Sequence, residues 1–129
     1  DSRDGSNLIQ RIQIIKGWTD QQGRTQQRIY DIAGDPDNGA SVDPTSCAVS
    51  GPGFRQVCSQ WQDPDFDPTL GAVYYARVLE NPSCRWSHFD CLAFDEAARP
   101  ARCADPDLPW QIQERAWTSP IWYYPAPAI

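Results

Sequence analysis

Apolar and polar residues alternate from Leu8 to Trp18 (LIQRIQIIKGW), placing Ile12 and Ile14 on one side of an extended chain and Arg11 and Gln13 on the other. Ile15 breaks the alternation. Turn residues fill Thr19 to Gly23, and Arg24 to Ala33 alternates again, with Tyr30 and Ile32 on one face. The pattern predicts an antiparallel hairpin over 8–33. A helix over 8–16 is the competing reading, which the isoleucines and the following Gly-Trp disfavour. Residues 34–71 are too rich in Gly, Pro, Asp and Asn for a regular element and read as a long acidic loop. The stretch from Ala72 (AVYYARVLENP) is β-branched, aromatic and aliphatic enough to pack on both faces, so a central strand is predicted over 72–82, ending where Pro82 lacks a backbone donor. Arg77 lies in the middle of it, so its guanidinium either snorkels to the sheet rim or meets a carboxylate, with Glu80 and Glu114 as the candidate partners.

Residues 83–109 read as an irregular cysteine-rich loop with one helical turn near Phe94–Ala98. Residues 110–129 (WQIQERAWTSPIWYY and a tail) read as a last strand or two short ones, kinked at Pro120. Residues 1–7 are polar and are expected to be a flexible end of the kind left by processing. The predicted class is all-β: a loop-rich antiparallel sheet or partial β-sandwich tied by disulfides. About four or five strands follow from the pattern, whereas a closed sandwich takes about seven. A sheet that short of strands exposes edges and apolar faces, so the chain is expected to be completed by another chain or an upstream domain.

Composition sharpens this picture. Twelve prolines and eight glycines in 129 residues imply long connections, and six tryptophans with five tyrosines supply the bulk for a small core. A net charge of −6 argues against nucleic acid as a partner. No apolar run approaches the roughly 20 residues of a membrane-spanning helix, so no membrane span is expected. Five cysteines without a CxxC pair or a histidine cluster point to disulfides rather than zinc, hence to a periplasmic or secreted protein whose signal lay upstream. Cys47 with Cys58 is the expected bridge within the long loop. The pairing among Cys84, Cys91 and Cys103 stays open, with one thiol unpaired or bridging to another chain.

Asp63, Asp65 and Asp67 in DPDFDP stand at alternate positions, a spacing that can turn carboxylate oxygens toward one calcium ion. Asp35, Asp37, Asn38 and Asp43 form a second oxygen-rich set. Neither fits an EF-hand loop, and Asp-Pro turn chemistry is the leading reading of both. Calcium is the candidate cofactor at the first set. His88, the only histidine, has Ser87 and Asp90 beside it in sequence alone, so a loop histidine is favoured over a triad member. Trp86, Trp110, Trp117, Trp122, Tyr123 and Tyr124 are a candidate sugar-stacking platform, although packing is the default for Trp117 and Trp122. Arg77, Arg85 and Arg115 are the candidate partner-facing cations.

The blocks RIQIIKGW, YDIAGDPDNGASVD, DPDFDP, YYARVLENPSCRW and IQERAWTSPIWY, in that order, resemble the C-terminal region of the large bacterial family of domain of unknown function 3604. The resemblance runs from about Ile9 to Tyr123. It implies kinship with metal-dependent hydrolases of the polymerase-and-histidinol-phosphatase type, whose histidine-rich metal motifs lie near the N-terminus and are absent here. The catalytic divalent metal is then expected on the larger N-terminal chain of the same precursor, with this chain a non-catalytic β portion of the whole. An independent secreted module, binding carbohydrate through Trp and Tyr or calcium through the acidic loops, is the alternative.

Overall fold

A computed structural model describes residues 7–126. The flexible end expected over 1–7 lies outside the described residues except for Asn7, whose Nδ2 donates to the Asn81 carbonyl at 2.6 Å. Strands β1 (Ile9–Thr19) and β2 (Thr25–Gly34) form an antiparallel hairpin. Asp20 organises its turn, accepting hydrogen bonds from the amides of Gln22 and Arg24. Gly23 closes that turn at a φ of +77°, a left-handed conformation that side chains resist. Strand β5 (Ala72–Cys84) runs along the far side of β1, so the sheet order begins β2-β1-β5.

The opposite side of β5 carries two strands in succession. Strand β6 (Gln111–Trp117) pairs with its second half and β7 (Ile121–Tyr123) with its first. Thr118 bridges the gap, its amide donating to Ala76 O and its hydroxyl accepting from Ala76 N–H. Strand β5 does not stop at Pro82. Its ladder with β6 shifts register between Leu79 and Pro82, and the proline's missing donor falls in that irregularity. A two-residue pair, β3 (Ser41–Val42) with β4 (Val49–Ser50), folds out of the long loop and packs against β5. The region expected to be irregular contains a helix α1 (Trp86–Ala93) and two 3-10 turns, Glu96–Ala98 and Ala101–Ala104.

The disulfides correct the expected bridge. Cys47 joins Cys84, and Cys91 joins Cys103, leaving Cys58 as the exposed free thiol. The physical reason is the β3–β4 pair, which lies against the end of β5 and brings Cys47 to Cys84 with Cα atoms 5.7 Å apart. Val42, Cys47 and Cys84 form a small buried cluster there, against Leu92 and Trp110.

The rest of the interior is thin and partly polar. Ile15, Ala72 and Leu79 are buried, but so are Gln10, Gln13, Lys16 and Asn81. Each of these polar groups is satisfied, as burial requires. Gln10 Nε2 donates to Pro36 O and Asn38 Oδ1 and its Oε1 accepts from Gln113, while Asn81 Nδ2 donates to Pro52 O and its Oδ1 accepts from Asn38. These bonds hold the long loop to the ends of β1 and β5. Gly34 sits close above Gln10, where a Cβ would meet the Gln10 carbonyl at 2.2 Å.

Candidate functional site

Residues directly opposite one another in antiparallel strands share a face, so the register divides the sheet in two. One face carries Tyr30, Ile14 and Ala76 in one row and Arg28, Lys16 and Tyr74 in the next. The segment around Asp63–Asp67 lies over it. Lys16 Nζ is 2.5 Å from Asp63 Oδ2 and donates to Asp65 O at 2.7 Å. Tyr74 donates to Asp63, Tyr30 donates to Asp65, and Arg28 pairs with Asp65. Trp61 packs against the rings of Tyr30 and Tyr74, and Phe66 against Tyr123. Lys16 Nζ also stands 4.9 Å from the Trp18 ring centroid, within cation–π range.

This arrangement takes up the carboxylates of the candidate calcium set. Burial pushes the Asp63 carboxyl up, but the hydrogen bonds from Lys16 and Tyr74 and the Asp65 amide outweigh it and hold the group below the usual carboxylate range. Bonds from Tyr30 and Arg28 lower Asp65 in the same way. Asp67 turns aside to accept from the hydroxyl and amide of its own Thr69. Lys16 supplies the positive charge that Asp63 faces. The second oxygen-rich set makes turns: Asp35 accepts from the Asp37 amide, and Asp43 accepts from Thr45 and Ser46, which lowers its carboxyl to about 2.

The clasp has a pH dependence of known sign. Groups whose folded pKa is depressed contribute stability above their unfolded value of 3.8 and lose it as pH falls through the folded value. Acidification below about pH 4 is therefore expected to loosen the Asp63–Asp67 segment from the sheet before the β1–β2 hairpin opens. Amide NMR signals of residues 63–67 read this directly, and simultaneous loss of both sets of signals would refute a separable clasp.

The second face is open at its margins, where Ile29, Trp117 and Trp122 are exposed, and closed at its centre, where Gln13 and Ile15 are buried. Its rows are Asp31, Gln13, Arg77 and Trp117; then Ile29, Ile15 and Tyr75; then Gln27, Gly17, Val73 and Trp122. Arg77 donates from Nε and NH2 to Gln13 Oε1, and Gln13 Nε2 donates to Asp31. The expected partners Glu80 and Glu114 are replaced by this cross-strand neighbour, because register places Gln13 directly opposite Arg77. Arg11 Nε lies 3.1 Å from the same Asp31 oxygen as an ion pair, without the alignment of a hydrogen bond. Below this polar row, Ile29, Trp117 and Trp122 are 44%, 59% and 60% exposed. Trp86 is exposed as well. Packing, the default reading for Trp117 and Trp122, does not hold among the described residues, since β6 and β7 lie at the sheet edge and both side chains are exposed.

Of the three arginines, Arg85 and Arg115 come together along a groove of about 560 Å³ beside β6, also lined by Gln111, Gln113, Glu114 and Trp117. Arg77 stays in the polar row of the open face. Sequence reading missed Lys16 as the centre of the clasp. The available signal was the match between alternate carboxylates at 63 and 65 and alternate polar positions Arg28 and Tyr30 on β2.

The model of the family described as protein of unknown function (DUF3604) matches residues 1–125. The chain belongs to that family. No curated protein and no solved structure matches it. The residues of this DUF3604 chain do not fit the divalent metal centre that the hydrolase resemblance implies. Among the described residues, the one cluster of metal-ligating types is Cys47, Cys84 and His88, and its two sulfurs are bonded to each other. His88 is engaged through Nε2 with Pro44 O at 2.7 Å and packs against Trp110. With both sulfurs of that cluster in a disulfide, His88 stands as its single remaining ligand type, too few for a divalent centre.

Proposed function

We propose that this DUF3604 chain is the non-catalytic β portion of a larger exported, metal-dependent hydrolase-like protein, and that it seats on the catalytic body through its open sheet face. The observation that carries the reading is the exposed apolar margin of that face: Ile29, Trp117 and Trp122 stand exposed beside half-buried Tyr75 and Val73, next to the Arg77–Gln13–Asp31 row and over the buried Ile15. Exposed aromatic and aliphatic fields with a polar border are the usual form of an interface. The small interior supports the same conclusion, because a chain with so few buried apolar side chains gains stability from a partner surface. Two disulfides support export. Among the described residues no helix is long and apolar enough to cross a membrane.

The test is native, non-reducing purification followed by intact mass and N-terminal sequencing of whatever accompanies the 14.5 kDa chain. A larger companion with a histidine-rich metal motif is expected, and Trp117→Ser with Trp122→Ser is expected to weaken its retention about tenfold or more. A lone monomer that behaves the same with and without the two substitutions would sink the reading. A second reading draws on a shallow groove of about 300 Å³ lined by Trp18, Val73, Trp122, Tyr123 and Tyr124, which suits stacking against a sugar ring. Quenching of tryptophan fluorescence by soluble oligosaccharides, lost in Trp122→Ser, would favour that independent binding module.

A further inference from the structure

The two edges of the sheet are built differently. Strand β2 carries the polar and charged residues Thr25, Gln27, Arg28 and Asp31, and Ser59 Oγ donates to the Ile32 carbonyl at 2.9 Å. Charged side chains and a bonded loop are the common means of keeping a strand edge from recruiting another. Strand β6 carries charges as well, Glu114 and Arg115, but among the described residues no loop is bonded along its outer side. Its outer side faces the groove of about 560 Å³ instead, with Trp117 at one end and Arg85 near the other. Among the described residues nothing pairs with it but β5.

We propose that the outer edge of β6 accepts an added strand from an extended, acidic segment of a partner. Main-chain hydrogen bonds along Gln111–Trp117 supply the pairing, and Arg85 and Arg115 select for carboxylates on the incoming strand. The charge balance favours an acidic segment over a second copy. The groove lining has two arginines against the single Glu114, within a chain of net charge −6. A second copy would set this arginine surplus against its own duplicate and bring two acidic bodies together. The groove shares Trp117 with the open face, but its arginines Arg85 and Arg115 take no part in the seating described above, and substitutions there test the edge separately.

The experiment uses the 129-residue chain and an acetylated heptapeptide alternating glutamate and valine, with a lysine–valine heptapeptide as control. Amide hydrogen exchange along β6 is expected to slow about tenfold or more with the acidic peptide, with β2 unaffected and the basic peptide inert. Arg85→Glu with Arg115→Glu is expected to abolish the slowing. Arg115→Gln, a milder change at an exposed position, is expected to reduce it if the double variant fails to fold. No slowing, equal slowing by the basic peptide, or slowing at β2 would overturn the proposal. So would protection of β6 that rises with protein concentration in the absence of peptide, which would assign the edge to a second copy. None of these outcomes bears on retention of the larger companion, which tests the open face.

Discussion

Replacing Lys16 with methionine is expected to lower the unfolding free energy by about 3–5 kcal/mol, the usual cost of removing one member of a buried ion pair. The side chains of Lys16 and Asp63 are 5% and 6% exposed, so water screens the pair little. Without the ammonium, Asp63 keeps the Tyr74 hydroxyl, the Asp65 amide and the longer bond from the Tyr30 hydroxyl at 3.4 Å, and the Asp65 carbonyl loses its donor. Burial still pushes the carboxyl up while the hydrogen bond and charge of Lys16, two of the effects that hold it down, are gone, so its pKa lies above its native position. The sign of the pH effect follows. The native pair loses stability as pH falls through its depressed carboxyl pKa, and the variant, whose carboxyl is held down less, loses less, so the gap between them narrows below about pH 5. Lys16→Met combined with Asp63→Leu is expected to recover most of the loss, since the stranded charge is gone. Urea unfolding at pH 7 and pH 4 measures all of this. A loss below about 1 kcal/mol at pH 7 would mean that the clasp is ornamental to stability.

The second large effect concerns the cross-links. Cys47→Ser with Cys84→Ser opens a bridge of sequence separation 37, and Cys91→Ser with Cys103→Ser opens one of 12. Loop-closure entropy alone predicts costs of roughly 4 and roughly 3 kcal/mol. The first pair also lies in the buried cluster with Val42, so two hydroxyls replace packed sulfurs there and the difference widens. The expected consequence of losing Cys47–Cys84 is release of the 35–60 region from the end of β5, with the β1–β2 hairpin retained. Equilibrium unfolding of the two double variants tests the order. A larger loss on opening Cys91–Cys103 would refute the loop-closure account.

The sheet was readable where the sequence repeats with period two. Alternation in 8–33 marks the hairpin, and the apolar run after Ala72 marks the strand with neighbours on both sides. The sequence was less explicit at Pro82, because an irregularity in β5 itself, where its register against β6 shifts between Leu79 and Pro82, absorbs the missing donor. Helix α1 has no capping side chain and no buried residue, so WSHFDCLA lacks the usual signals of a helix. The Cys47–Cys84 bridge depends on the packing of a two-residue strand pair against β5, a contact that spacing alone does not encode. The candidate site shows the same division. DPDFDP was legible as a unit, but its partners lie on two strands more distant in sequence, and only the register identifies Lys16 as the charge between them. The exposure of Trp117 and Trp122 follows from sheet order, which strand patterns do not determine.

The central position of β1 has a kinetic consequence. Its pairing with β2 closes over a short turn and belongs to the class of events completed in about 1–10 μs. Its pairing with β5 joins Trp18 to Ala72 and Ile9 to Glu80, contacts that wait for the whole acidic loop to close. During that interval the hairpin carries Ile12, Ile14 and Ile15 without their β5 neighbours, a naked apolar ribbon that meets other hairpins as readily as its own chain. Dilute refolding therefore favours the native sheet, and concentrated refolding favours clumping at the hairpin stage.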